Sequence, residues 1–197
     1  MCWLPHKNQV ENKLVMKDNF FLCGFMGSGK STIGRKLAEL SHRRFFDLDA
    51  LIVKRMNMPI TEIFAKFGED YFRNLERECL QDQLAGQGIV MALGGGTLAD
   101  REVVAKIKDV GNLIFLRLSV PQLAERLSRN RKRPLLLNDD GSMKTKEELV
   151  SLIKKLYERR MPQYLQADYI VDIPEGYSAD QSARLVYKTV EKELQRD

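Results

Sequence analysis

Apolar residues occur along the chain either in short continuous runs or at the spacing of a helix face. The runs predict strands at residues 20–24, 45–49, 88–93, 112–118 and 168–172. Helical spacing predicts helices at 32–41, 59–68, 69–84, 99–108, from 121 onwards, and at 145–161 and 179–194. Because strands alternate with helices from end to end, the pattern predicts a doubly wound, largely parallel α/β sheet.

Length and charge restrict the choice of protein class. A chain of 197 residues forms one domain and can bury roughly 70% of its unfolded surface without cross-links. The net charge of +5 is compatible with a polyanionic partner or with a pocket for small anions. We favour the pocket, because the arginines occur at separate motif positions. We therefore predict no nucleic-acid partner.

Cysteine usage and the N-terminal pattern indicate the compartment. Cys2, Cys23 and Cys79 show no CxxC spacing and are odd in number, which favours reduced thiols in a cytoplasmic protein. We also expect a monomer. The sequence contains no run long enough to span a membrane and no apolar core of a signal peptide, so we predict no membrane association. Residues 1–18 are polar and irregular, and we expect a poorly ordered extension ahead of a single domain at 19–197.

The segment GFMGSGKST at 24–32 matches the phosphate-loop pattern GxxxxGK[ST] between a predicted strand and helix. Glycines allow backbone N–H groups to turn inward toward phosphate oxygens, and the helix N-terminus adds its positive dipole. A lysine reaches the β- and γ-phosphates in such loops, and the following hydroxyl ligates Mg²⁺. The sequence thus predicts a nucleoside-triphosphate site with Mg²⁺ at Gly27, Ser28, Gly29, Lys30, Ser31 and Thr32.

Two carboxylates follow the second predicted strand. A spacing of two places Asp47 and Asp49 on one side if the strand continues that far. One could hold Mg²⁺ through a water and the other could accept a proton from a hydroxyl nucleophile. Alternatively, the pair is a strand-end aspartate and the cap of the next helix. The residues alone leave both interpretations open.

Two further features have both a functional and a structural interpretation. Arg73 and Glu76 are helical neighbours, either at a site or as an exposed ion pair. Gly94, Gly95 and Gly96 follow a buried strand, and they indicate either backbone approaching a ligand or a tight turn.

Basic residues cluster between Arg126 and Arg133, ahead of a polar, glycine-containing stretch. Such a cluster can bind nucleic acid or act as a nuclear address. Its position before the next helix instead favours a mobile lid at about 129–146 with phosphate-binding arginines.

Six motifs in this order resemble the shikimate kinase family. They are GFMGSGKST at 24–32, FFDLDALI at 45–52, GEDYFRNLE at 68–76, LGGGT at 93–97, RPLL at 133–136 and YERRMPQY at 157–164. The resemblance implies a three-layer P-loop kinase fold, in which helices flank a central parallel five-stranded sheet. It also implies substrate-binding helices at about 49–85 and a mobile lid.

By this resemblance, the chain would transfer the γ-phosphate of ATP to the 3-hydroxyl of shikimate, a step of aromatic amino-acid synthesis. The implied roles divide between substrate and nucleotide. Shikimate would contact Asp49 as the base, Arg73 and Arg160 as a carboxylate clamp, and the backbone at Gly94, Gly95 and Gly96. Nucleotide and metal would contact Lys30, Ser31, Asp47 through water, Arg126 on adenine, and Arg133 on the transferring phosphoryl group.

Rival hypotheses are another small-molecule kinase of the same fold, such as a gluconate kinase, or a nucleoside-monophosphate kinase. A noncatalytic nucleotide-binding regulator or an RNA-binding module is less consistent with the sequence, because every catalytic position is present and no aromatic-rich RNA motif occurs. The resemblance assigns no role to residues 1–18 or to 138–141.

Overall fold

Five strands form one parallel sheet in the computed structural model, which describes residues 18–129, 142 and 144–194. The strands are β1 (Asn19–Cys23), β2 (Arg44–Asp47), β3 (Ile89–Ala92), β4 (Gly111–Arg117) and β5 (Tyr169–Asp172). The helices are α1 (Lys30–Leu40), α2 (Leu48–Met56), α3 (Ile60–Leu84), α4 (Arg101–Val110), α5 (Val120–Ser128), α6 (Lys146–Tyr164) and α7 (Ala179–Leu194). Residues 1–17, and most of the predicted lid, lie outside the described residues.

The strand order β2-β3-β1-β4-β5 places β1 at the centre of the sheet. All pairs are parallel, so the carboxyl ends of all five strands meet at one edge. β1 and β3 are buried along their whole length, as expected for apolar runs covered by helices on both faces. The predicted three-layer α/β fold with a five-stranded parallel sheet is therefore confirmed. The loops after β1, β2 and β3 are neighbours at its carboxyl edge.

Two element boundaries differ from the sequence-based prediction, and a third agrees with it. β2 ends at Asp47, so Asp49 lies in the first turn of α2 instead of at the end of the strand. The predicted division of α3 into two helical segments at Gly68 is confirmed, because Gly68 has non-helical backbone angles (φ 79°, ψ 177°) that favour glycine. α6 continues past Pro162 to Tyr164, and this extra turn places Tyr164 on the same helical face as Arg160.

The described cysteines are free thiols, and the described helices are those of a protein domain packed around a sheet. Cys23 and Cys79 are buried free thiols, and burial raises the pKa of Cys23 to about 12, which makes it a poor nucleophile. None of the described helices is both long and apolar enough to span a bilayer.

Candidate active site

The phosphate loop connects the carboxyl end of β1 to the first turn of α1. Gly27 and Gly29 have φ values of 80° and 93°, a region that side chains with a Cβ rarely adopt. Lys30 is the first residue of α1, and its Nζ donates hydrogen bonds to the carbonyl oxygens of Gly24 (2.8 Å) and Phe25 (3.3 Å). The lysine charge thus lies over the loop, beside the N-terminus of α1. The lysine charge and the positive end of the helix dipole both favour an anion at this place.

Ser31 and Asp47 meet where β2 ends beside α1. The Ser31 hydroxyl donates to Asp47 Oδ2 at 2.5 Å, while Asp47 Oδ1 caps α2 by accepting from the Ala50 N–H at 3.2 Å. Asp47 therefore caps α2, a role that the structural interpretation gave to Asp49, and its other oxygen bonds the phosphate loop through Ser31. Its role toward Mg²⁺ stays a prediction. Mg²⁺ in kinases takes one or two carboxylates besides waters and phosphate oxygens, and this all-oxygen pair fits that requirement. Among the described residues, no group of three or more His, Cys, Asp or Glu could hold a metal by itself.

Arg73 is fixed by two carboxylates of its own helix. Its Nη1 donates to Glu76 at 2.9 Å, and its Nη2 donates to Glu69 at 3.2 Å. Burial acts to lower the pKa of Arg73, but the hydrogen bonds and charges of Glu76 and Glu69 outweigh it and raise the pKa. The Arg73 guanidinium therefore stays charged.

Glu76 is buried, with 5% of its side chain exposed, so the interpretation as an exposed ion pair is wrong for this half of the pair. Its second oxygen accepts from the Thr97 hydroxyl at 2.7 Å. A buried carboxylate that bonds both an arginine and the segment after the glycine turn holds α3 and that turn in one arrangement.

The three glycines leave room for three functional side chains. A Cβ atom added at Gly96 would lie 2.6 Å from both terminal nitrogens of Arg73. At Gly95 it would lie 2.9 Å from Nη1 of Arg160, and at Gly94 3.0 Å from Oδ1 of Asp49. Side chains here would displace these polar groups, so the glycines are required for space.

Arg160 reaches the same turn from α6. Its guanidinium carbon lies 5.8 Å from the centre of the Phe25 ring, within cation–π range. Arg160 and Arg73 thus approach the glycine turn from different helices, α6 and α3. Their convergence creates a doubly positive region beside the turn.

An open cleft brings these groups together with the phosphate-loop lysine. Its volume is about 250 Å³, at the small end for ligand pockets. The residues that line it are Met26, Lys30, Asp49, Ile60, Phe64, Phe72, Arg73, Glu76, Gly95, Gly96 and Arg160. The cleft has apolar lining residues, two guanidinium groups, one exposed carboxylate and the lysine of the phosphate loop, which suits a small hydroxylated acid next to a nucleotide.

The other predicted residues lie around this cleft or outside the described chain. Arg126 donates from Nη1 to the Ser28 carbonyl at 3.3 Å, so it covers the phosphate loop. Ser28 is fully buried, whereas Thr32 is exposed on α1. Arg133 lies outside the described residues, and its proposed contact with the phosphoryl group stays a prediction.

Comparisons with known proteins agree with this geometry. The shikimate kinase family model matches residues 26–191. The chain belongs to the shikimate kinase family. It is 39% identical to the shikimate kinase of Chlorobium luteolum over 87% of each chain, and 40% identical to that of Alteromonas mediterranea over 88% of this chain and 94% of that one.

Solved shikimate kinase structures share the fold. The enzyme from Bacteroides thetaiotaomicron aligns with a TM-score of 0.78 and 31% identity over 90% of this chain and 98% of its own. The Acinetobacter baumannii enzyme, solved in complex with shikimate, aligns with a TM-score of 0.74 and 30% identity over 91% and 94% of the two chains.

Sequence reasoning missed several residues that complete the shikimate kinase cleft. Glu76 was considered only as a helical neighbour of Arg73, and Thr97 and Phe25 received no role. A spacing of three from Arg73 signalled that Glu76 is a helical neighbour. No sequence signal shows that Thr97 contacts Glu76 or that Phe25 faces Arg160.

Proposed function

We propose that this chain transfers the γ-phosphoryl group of ATP to the 3-hydroxyl of shikimate, giving shikimate 3-phosphate and ADP in aromatic amino-acid biosynthesis. Membership of the shikimate kinase family supports this activity. The observation that carries it is the convergence of Arg73 and Arg160 on the glycine turn, in the cleft that Lys30 also lines. This arrangement offers sites for a carboxylate and for a phosphate in one cleft.

The two arginines are proposed to bind the substrate carboxylate. A guanidinium offers paired N–H donors that match the two oxygens of a carboxylate. Arg73 is already held by Glu76 and Glu69, so little of its side-chain entropy is lost on binding. The Acinetobacter baumannii relative, which was crystallised with shikimate, supports this substrate.

Asp49 is proposed to act on the hydroxyl that is phosphorylated. Its carboxylate is exposed in the cleft, next to Gly94. It accepts the hydroxyl proton while the substrate oxygen forms a bond to the γ-phosphorus. The bond from that phosphorus to the bridging oxygen breaks, and the electron pair leaves with ADP.

The phosphate side of the cleft is proposed to stabilise the charge that develops in this step. Lys30 exchanges its contacts with the loop carbonyls for the phosphate oxygens. Ser31 would hold Mg²⁺ directly and Asp47 would hold it through water, and a bound Mg²⁺ neutralises part of the phosphate charge. Arg126, above the loop, is proposed to stack on adenine.

An acceptor panel tests the function. The purified protein with ATP and Mg²⁺ is assayed for ADP release with shikimate, gluconate, nucleoside monophosphates or no acceptor. We expect release to depend on shikimate, with shikimate 3-phosphate detected by mass spectrometry. Release that depends on gluconate or a monophosphate would establish a rival kinase. A cytoplasmic, monomeric enzyme stays our prediction, and analytical ultracentrifugation tests the second part.

A further inference from the structure

The two arginines that face the glycine turn are supported differently. Arg73 has two carboxylate partners on its own helix. Arg160 forms no ion pair with any carboxylate in the described chain, and its guanidinium lies between the Phe25 ring and Gly95. Because no carboxylate offsets the positive charge of such an arginine, it attracts an anionic ligand more strongly. The orientation of its guanidinium must then be set by other neighbouring residues.

Tyr164 is the neighbour that can direct Arg160. It follows Arg160 by four residues on α6, so the two side chains share one face of the helix. Tyr164 is only 2% exposed, and its ring stacks on Phe115 with centroids 4.9 Å apart. Its hydroxyl oxygen makes no hydrogen bond of ordinary geometry within the described chain.

An unpaired hydroxyl in a core is costly, and phenylalanine would fill the same space without this cost. Burial raises the pKa of Tyr164, whereas the positive charge of Arg160 and a hydrogen-bond contact with its guanidinium, outside ordinary hydrogen-bond geometry, act in the opposite direction. The hydroxyl is therefore close enough to the guanidinium to be influenced by its charge. The two groups are therefore neighbours without a well-aligned hydrogen bond between them.

We propose that Tyr164 is a positioning residue for Arg160, whose guanidinium donates a hydrogen bond to the buried Tyr164 hydroxyl when it binds the carboxylate of the substrate. This inference rests on the proposed function. The hydroxyl accepts one N–H of the guanidinium and leaves the paired N–H groups directed into the cleft. Tyr164 would thus orient the guanidinium of Arg160, as Glu76 and Glu69 orient that of Arg73. Because a tyrosine hydroxyl is neutral, Arg160 keeps its full positive charge.

Tyr157 provides a matched control on the same helix. It is also buried, with 6% exposure, and its hydroxyl also has no hydrogen bond in the described chain. Its ring packs edge-on against Phe25, and burial together with the neighbouring Tyr164 raises the pKa of its hydroxyl to about 12, while the backbone of Leu118 and the charge of Arg117 act in the opposite direction. Arg160 is not among the groups that shift this pKa. Tyr157→Phe and Tyr164→Phe therefore remove the same group from the same core.

The experiment compares both variants with the wild type by thermal unfolding, steady-state kinetics and calorimetric titration with shikimate. Both should unfold at or slightly above the wild-type temperature, because each loses an unpaired buried hydroxyl. Tyr164→Phe should raise the KM and the Kd for shikimate about three- to tenfold, the range for one lost hydrogen bond, with the KM for ATP unchanged. Tyr157→Phe should change none of these constants.

Two further measurements separate positioning from a change in packing. With the carboxamide analogue of shikimate, which lacks the negative charge, the effect of Tyr164→Phe should largely disappear. In an Arg160→Lys background, Tyr164→Phe should raise the KM for shikimate little further, because lysine has no guanidinium whose paired N–H donors the hydroxyl could orient. Equal effects of the two tyrosine variants, full additivity with Arg160→Lys, or an unchanged KM for shikimate would overturn the proposal. A wild-type protein that leaves shikimate unphosphorylated refutes the proposed function instead.

Discussion

Replacing Glu76 by glutamine removes the negative charge beside Arg73 and keeps the size of the side chain. The carboxylate is 5% exposed and bonds both Arg73 and Thr97, at 2.9 and 2.7 Å. Glutamine can still accept from Thr97 through its amide oxygen. Its NH₂ group, however, would then face the Arg73 guanidinium, and two donors cannot bond each other. We therefore expect losses in both stability and shikimate binding.

The structure bounds the loss of stability. Removing one partner of a fully buried ion pair costs about 3–5 kcal/mol. Arg73 is 33% exposed and keeps Glu69, so water and the second carboxylate compensate part of this cost. We expect about 1–3 kcal/mol, the range for a lost hydrogen bond to a charged group. For a chain of this size this lowers the Tm by about 2–12 °C.

Glu69→Gln is the matched control, because it makes the same chemical change to the other partner of Arg73. Glu69 is 67% exposed and pairs with Arg73 at a spacing of four, which is worth about 0.3–0.5 kcal/mol. Its Tm should fall by less than about 2 °C. The KM for shikimate should rise about tenfold in Glu76→Gln, or ~1.4 kcal/mol, and much less in Glu69→Gln.

Calorimetric unfolding and a coupled assay for ADP release measure these quantities on the same preparations. The KM for ATP serves as an internal reference, because Glu76 does not contact the phosphate loop in the described structure. If the two glutamine variants lose equal stability and equal shikimate affinity, burial of Glu76 does not determine the position of Arg73. The reasoning would then be refuted.

Four further predictions concern the remaining polar groups. Lys30→Ala should lower kcat by about 10²–10³-fold without unfolding the protein, and a variant with more than about a tenth of wild-type activity contradicts the phosphate role. Arg160→Lys keeps the charge but loses the fork, so the KM for shikimate should rise while the KM for ATP stays constant; the reverse pattern would assign Arg160 to the nucleotide. Asp49→Asn should lower kcat by about 10²–10⁴-fold at normal Mg²⁺ dependence, whereas Asp47→Asn should raise the Mg²⁺ concentration for half-maximal rate; rescue of Asp49→Asn by Mg²⁺ would reverse the two roles. Asp100→Asn tests pH dependence, because hydrogen bonds from an arginine and two backbone N–H groups lower the pKa of Asp100. Wild type should be the more stable protein above about pH 4, and the difference should disappear as the pH falls through the lowered pKa; a difference that persists in acid would contradict this.

Local patterns in the sequence determined the elements and the phosphate site. Apolar runs identified all five described strands. The runs in the central strands β1, β3 and β4 reflect burial on both faces, whereas the edge strands β2 and β5 are partly exposed. The loop after β1 was predictable because its glycines, lysine and hydroxyl are contiguous in the chain. Family membership was predictable because six motifs occur in a specific order.

The ends of helices and strands, and the roles of single residues near them, could not be predicted from the sequence with the same accuracy. Asp49 alternates with Asp47 in a way that suits a strand, yet Asp47 caps a helix that begins at the next residue. Pro162 suggested a helix end, yet α6 continues for one more half-turn and carries Tyr164 beside Arg160. Both outcomes depend on packing around the segment, which outweighs local preference.

Only the tertiary structure determined how the cleft is held together. Glu76 contacts Thr97 from 21 residues away, and Arg160 on α6 lies against Phe25 and Gly95, which follow the adjacent strands β1 and β3. The glycine turn, which indicated backbone near a ligand, is the place where three side chains from α2, α3 and α6 converge. Burial, and with it the strength of each charge, arises from contacts between elements distant in the chain. A sequence pattern records which residues are available, but their mutual distances exist only after the helices pack on the sheet.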